Sequence, residues 1–295
     1  MNLGEKFVLR GFNGRPILGD FRAPQSGKNL PLVIFIHGFK GFKDWGHFNQ
    51  MADYFTSKGF AFLKFNFSHN GGTIHEPIDF PDLEAFSENS FWKEIKDLEA
   101  VLDALQGQHE VLEGRKQLEA FVQQIDQQQV HLIGHSRGGG IAILTAARDI
   151  RIARTVSWAG VGDFTRYIPK GEQLKYWEDR GVVYVENKRT LQQMPMKYSF
   201  VKELIEHQKE LDIPQAVASL QKPLLLIHGD ADAVVNLSEA EDLKRINPSA
   251  QLAVIEGGDH VFGAKHPFPG NEFLGQTQKV MDLSIDFLKT PFPLK

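Results

Sequence analysis

The sequence predicts an α/β fold, with a mostly parallel central sheet flanked by helices and one inserted lid. Three observations predict it. The runs Leu32 to His37 and Pro223 to His228 are apolar almost throughout, the pattern of strands buried on both faces. Such runs alternate with stretches of helical spacing, which makes crossover units of strand, helix and strand. Third, Gln129 to Gly140 reads as a short apolar strand, a turn crowded with glycine, and the start of a helix rich in alanine and leucine.

Taken in order, residues 5 to 21 alternate and turn at Asn13-Gly14, a pair that favours a hairpin, so two antiparallel strands open the chain. Ala23 to Pro31 is a loop, Leu32 to His37 a buried strand, and residues 46 to 58 a helix. Gly59 to Phe65 forms the next strand. Asn66 to Asn89 reads as a long irregular loop, which in a compact domain is usually functional or mobile. Residues 90 to 105 place Ile95, Leu98, Val101, Leu102 and Leu105 along one helical face. A second helix spans 114 to 126, and Gln123 to Gln129 reads as a polar connector.

After the helix that follows Ser136, Arg154 to Ala159 is another strand. Residues 162 to 220 break the rhythm, with Tyr167, Trp177, Tyr184 and Phe200, a hairpin-like Val182 to Val185, and an amphipathic run through Val201, Leu204, Ile205 and Leu211. They are assigned to the lid, leaving 1–161 and 221–295 as the core. The sheet resumes at Pro223 to His228 and at Leu252 to Ile255, and a last helix covers 276 to 288.

At 295 residues the chain is long enough to bury a large core. Its net charge of −4 and the lack of a basic stripe argue against nucleic acid as a partner. There is no cysteine, which excludes thiol catalysis and disulfides. No apolar run is long enough to span a membrane and the amino terminus has no signal-peptide pattern, so a cytoplasmic protein is expected.

The chemistry starts at Gly134-His135-Ser136-Arg137-Gly138, which has the form G-x-S-x-G. The small residues let strand and helix approach, and the turn lifts one hydroxyl clear of the sheet. In open parallel sheets ligands gather beyond the carboxyl ends of the strands. Two other strand ends carry polar residues that a core does not need: His228-Gly-Asp-Ala-Asp232 and Glu256-Gly-Gly-Asp-His260. Serine, acid and histidine thus follow in that chain order. A serine hydroxyl is a weak nucleophile, so a histidine must take its proton and a carboxylate must orient the histidine. Asp232 is preferred to Asp230, which lies close enough to the strand end to shape the turn, and Asp259 is read as shaping its loop. Donors for the negative oxygen are assigned to the backbone N–H groups of Arg137 and, in the loop His37-Gly38-Phe39, of Phe39.

Other readings of these residues fail on chemistry. His131 and His135 lie along a strand and its turn, so they do not share a helical face, and no metal is expected. Gly138-Gly-Gly140 lacks the lysine and serine or threonine of a phosphate loop, and no cofactor is implied.

On these motifs the chain resembles the α/β-hydrolase superfamily along nearly its whole length. Within it, the His-Gly-Phe loop, the insertion before the acid-bearing strand, and the Asp232 and His260 motifs resemble feruloyl and cinnamoyl esterases and prolyl-oligopeptidase-like hydrolases. Arg137 departs from the glutamine more usual in cinnamoyl esterases, and the stretches Ser68 to Asn89 and Gln106 to Gln129 look longer. The resemblance implies a serine esterase acting on a small-molecule ester. Trp158, Tyr167, Trp177 and Phe262 are candidate substrate contacts, and for the first three ordinary packing between lid and sheet is an equal alternative. A peptidase or amidase, an acyltransferase, and a non-catalytic binding module on the same scaffold are the rival expectations.

Overall fold

Strand β3 (Leu30–Ile36) shows how the sequence builds the sheet. Its alternate residues go to opposite faces, Leu32, Ile34 and Ile36 into one apolar core and Val33 and Phe35 into a second. A computed structural model describes residues 4–25, 27–270, 272–273 and 275–290. Before β3 come β1 (Glu5–Arg10) and β2 (Pro16–Arg22), joined by a turn in which Asn13 and Gly14 both take positive φ. After it come β4 (Ala61–Asn66), the short β5 (Val111–Glu113), β6 (Ile125–His135) and β7 (Ile152–Trp158). The pair β8 (Val182–Asn187) and β9 (Gln192–Lys197) precedes β10 (Leu224–Gly229) and β11 (Gln251–Ile255).

Nine strands form one sheet in the order β11-β10-β7-β6-β3-β4-β2-β1-β5, while β8 and β9 form a separate hairpin. The six strands from β11 to β4 run parallel, and β2, β1 and β5 complete the sheet in antiparallel fashion.

Helices α1 (Phe48–Ser57), α2 (Leu83–Ser87), α3 (Phe91–Ala104), α4 (Arg115–Val122) and α5 (Arg137–Arg148) come first. Next are α6 (Glu172–Arg180), α7 (Ser199–Glu206), α8 (Ile213–Ser219), α9 (Leu237–Ile246) and α10 (Gly275–Lys289). One face of the sheet is covered by α3, α4, α5, α7 and α8, whose apolar residues share a core with β3 and β6. The other is covered by α1 and α10, through Met51, Phe55, Met281 and Ile285. Residues 162 to 220 divide in their contacts. Phe200, Val201, Ile213 and Val217 join the first core, whereas the hairpin contributes Met194 to a small cluster with Phe42, Phe80 and Phe86.

Several local expectations change. Gln123 to Gln129 is not all connector, because β6 already starts at Ile125, which pairs with Leu30 across a register shift. That strand start is imposed by its neighbour, since Asp126 to Gln129 carry no apolar pattern. The long loop after β4 contains α2, capped by the Asp82 carboxylate accepting from the Ala85 N–H at 2.8 Å. Strand β5 and helices α6 and α9 went unmarked in the sequence.

A buried charge cluster fixes the loop after β3. Lys43 and Lys64 each bond Asp20 at 2.7 Å and Asp44 at 2.6 Å, closing a four-membered ring. Lys64 and Asp20 are almost fully buried. In such a ring each charge offsets the desolvation of its neighbours, which an isolated buried charge cannot do. The Asn66 side chain also accepts from the Lys43 N–H at 2.6 Å, so the loop that carries Phe39 is tied to β2 and β4.

Candidate active site

Ser136 stands between β6 and α5 with φ 57° and ψ −121°, a strained backbone for a residue with a Cβ. The strain is held by three hydrogen bonds: its N–H donates to the Trp158 carbonyl at 2.8 Å, and its carbonyl accepts from Gly139 and Val161 at 3.0 and 3.1 Å. The glycines are required by close approach. A Cβ on Gly134 would lie 2.0 Å from the Gly138 carbonyl oxygen, and one on Gly138 would lie 2.4 Å from that of Ile36.

The histidine and the acid arrive through a similar contact. Gly229 at the end of β10 packs so closely on Gly258 that a Cβ would lie 2.0 Å from its carbonyl oxygen, and the Ala231 N–H donates to that carbonyl at 3.0 Å. His260 and Asp232 are thereby brought together. His260 Nδ1 lies 2.8 Å from Asp232 Oδ2, and His260 Nε2 lies 2.9 Å from Ser136 Oγ. Because a carboxylate only accepts, Nδ1 carries the proton and Nε2 is free to accept from the serine hydroxyl. Asp230 instead accepts from the Gly257 N–H at 2.6 Å, and Asp259 accepts from Val261 and Gly263; both shape their loops.

Burial raises the affinity of the Asp232 carboxylate for a proton. Hydrogen bonds from His228 and His260 and from the Val235 N–H more than offset it, leaving the pKa well below the usual carboxylate range. Oδ1 accepts from the Val234 and Val235 N–H groups at 2.8 and 2.9 Å. The His228 Nε2–H donates to the Val235 carbonyl at 2.9 Å and lies 3.4 Å from Oδ2. His135, at the end of β6, donates through Nε2–H to the His260 carbonyl at 2.8 Å and steadies that loop. The sequence motifs did not mark His228 or His135 for these tasks.

Arg137 follows Ser136. Its N–H, in the first turn of α5, has no intrahelical acceptor. Its guanidinium is buried, 3.0 Å from Glu94 and stacked 4.3 and 4.7 Å from the ring centroids of Phe39 and Phe91. Phe39 is therefore packed on the residue that follows the serine. Gly38 approaches Ser136 so closely that a Cβ would lie 2.9 Å from the serine Cβ. Glu94 and its partner Asn89, at 2.7 Å, were not foreseen from the sequence.

Ser136 and His260 open into a cavity of about 550 Å³ lined also by Phe39, Lys40, Trp45 and the hairpin residues Glu186 to Arg189. The four candidate contact residues lie elsewhere. Trp158 and Phe262 are buried in the second core, and the Trp158 indole donates to Ser284 Oγ at 2.9 Å. The Trp158 indole thus faces α10. Tyr167 and Trp177 line a separate hollow of about 870 Å³ beyond Phe39 and Arg137, where Trp177 stacks on Phe200. Among the described residues, no group of three or more His, Asp or Glu side chains could hold a metal ion.

Four histidines are held neutral. Burial lowers His37 and His47 to about 4 and His131 and His135 to about 3. The unfolded chain takes up these protons near pH 6.5, so their contribution to stability is complete above that pH and is lost as pH falls toward 4 and 3. Asp97, raised by burial to about 6, offsets part of the loss. Urea unfolding at pH 5 is thus expected to show a stability several kcal/mol below that at pH 7.5, at about 2 kcal/mol for each such histidine. An unchanged midpoint would contradict the neutral assignment.

A model of the alpha/beta hydrolase family matches residues 33–269, most of the chain. The chain belongs to the alpha/beta hydrolase family. Solved structures agree on the fold of this hydrolase. Est1E from Butyrivibrio proteoclasticus is 17% identical, with a TM-score of 0.67 over 97% of this chain and 100% of that one. Alpha/beta hydrolase domain-containing protein 10 from mouse is 18% identical, with a TM-score of 0.63 over 95% of both chains. A puromycin-hydrolyzing peptidase from Mycobacterium tuberculosis is 16% identical, with a TM-score of 0.62 over 96% of this chain and 38% of that one. A search of curated proteins finds no match. Among the described residues of the hydrolase, no helix is long and apolar enough to cross a membrane.

Proposed function

We propose that the protein is a serine carboxylic-ester hydrolase that works through an acyl-enzyme. The observation that carries this reading is the chain of two hydrogen bonds, 2.9 Å from Ser136 Oγ to His260 Nε2 and 2.8 Å from His260 Nδ1 to Asp232, opening into a cavity. Ser136 Oγ attacks the ester carbonyl carbon while its proton passes to His260 Nε2. Asp232, kept ionised by its N–H donors, stabilises the imidazolium. The carbonyl oxygen, now negative, is held by the N–H groups of Phe39 and Arg137. Collapse breaks the carbon–oxygen bond and the alcohol leaves with the proton from Nε2. Water then attacks the acyl-enzyme by the same route, releasing the acid and restoring the serine.

Est1E has been solved with ferulic acid bound, and that likeness of fold supports aryl or cinnamoyl-type esters as substrates. Residues 162–220 act in this reading as a lid, and the hairpin residues at the cavity mouth support it. A panel of p-nitrophenyl and cinnamoyl esters beside matched p-nitroanilides tests the reaction class. Ester turnover well above anilide turnover is expected. Equal rates would favour the peptidase, and an added alcohol that outcompetes water would favour the acyltransferase.

A further inference from the structure

The wall of the cavity at Ser136 is out of keeping with the rest of the molecule. The whole chain carries a net charge of −4. Yet this wall holds four cations, Lys40, Lys188, Arg189 and Lys265, and one carboxylate outside the triad, Glu186. Arg189 is paired with Asp79. Among the described residues, Lys40, Lys188 and Lys265 have no carboxylate within 4 Å. Lys40 is held in place: its backbone takes φ 54°, its ammonium donates to the Glu186 carbonyl at 3.1 Å, and it lies 5.6 Å from the centroid of the Phe39 ring. Like charges that outnumber the carboxylates around one hollow cost free energy through mutual repulsion, which a bound anion would relieve. Burial above all, and then the neighbouring Lys188 charge, lower the Lys40 pKa, while the Glu186 carboxylate partly offsets them.

We propose that the cavity binds esters that carry a second, anionic group, a carboxylate in the acyl or alcohol part, which these lysines receive while Ser136 meets the ester carbonyl. The proposal rests on the ester-hydrolase reading for its reaction but not for its binding. A volume of about 550 Å³ suits a small ester of this kind. The lysines come from three separate segments: the loop after β3, the β8–β9 turn and the loop after His260. Pairing with the anion would therefore draw the hairpin and both catalytic loops together.

The test has a binding arm and a turnover arm. In Ser136→Ala protein, calorimetry is expected to show monoethyl glutarate binding more tightly than the neutral diethyl ester. In the wild type, kcat/KM for p-nitrophenyl hemiglutarate is expected to exceed that for p-nitrophenyl valerate and to fall more steeply with added salt. Lys188→Met and Lys265→Met should each lower the ratio of the two kcat/KM values by about two- to fivefold, the range for exposed charge pairs. Glu186→Gln should raise it. Because the substitutions have opposite signs, general loss of structure cannot mimic the result. An anionic preference in binding with no ester turnover would support the site while refuting the ester reading. Turnover without preference, or a ratio unmoved by these variants, would overturn the proposal.

Discussion

Ser136→Ala is expected to lower kcat for p-nitrophenyl esters by about 10⁴–10⁶-fold, with little change in stability. The size of the loss follows from what the hydroxyl does. In the proposed acyl-enzyme route no covalent intermediate forms without it, and the surviving N–H donors can assist only direct attack by water. The substitution removes one oxygen atom from a residue whose backbone bonds to Trp158, Gly139 and Val161 are made by main-chain atoms, so the turn itself is kept. An equal loss of thermal stability would mean that the fold, not the chemistry, had been tested.

Asp232→Asn is expected to cost about 10⁴-fold in kcat, the effect of forcing the wrong histidine tautomer. The direction can be read from the neighbours of the carboxylate. The Val234 and Val235 N–H groups both donate to Oδ1, so the amide oxygen of an asparagine must take that position. Its NH₂ then faces His260 Nδ1, which has to accept rather than donate. The imidazole proton moves to Nε2, and no lone pair remains to receive the serine proton. KM should change far less than kcat, because the carboxylate does not line the cavity. Steady-state kinetics separates the two, and a rate within tenfold of the wild type would show that Asp232 does not orient the base.

Much of this arrangement was legible because the relevant signals are local. The apolar runs at Leu32 and Leu224 announce strands buried on both faces. Polar residues directly after such strands, as at Asp232 and His260, have no packing reason to be there. What was missed depends on the partner rather than on the segment. Ile125 extends only because Leu30 pairs with it. Helix α6 buries little besides Trp177, so its pattern carries no strong stripe. Lys64 was the signal of the charge ring, a single cation in the run Phe60 to Phe65, but Asp20 and Asp44 are distant in sequence. Trp158 was a candidate substrate contact, with ordinary packing between lid and sheet as the alternative. Its carbonyl does meet the Ser136 N–H, while strand alternation sends its ring to the opposite face.

Labelling with a fluorophosphonate followed by peptide mapping reports the nucleophile itself and needs no knowledge of the substrate. One adduct is expected on the wild-type protein, carried by Ser136, slowed sharply in His260→Ala and absent in Ser136→Ala. Stoichiometric labelling of Ser136→Ala, or a wild-type adduct on any other residue, would contradict it.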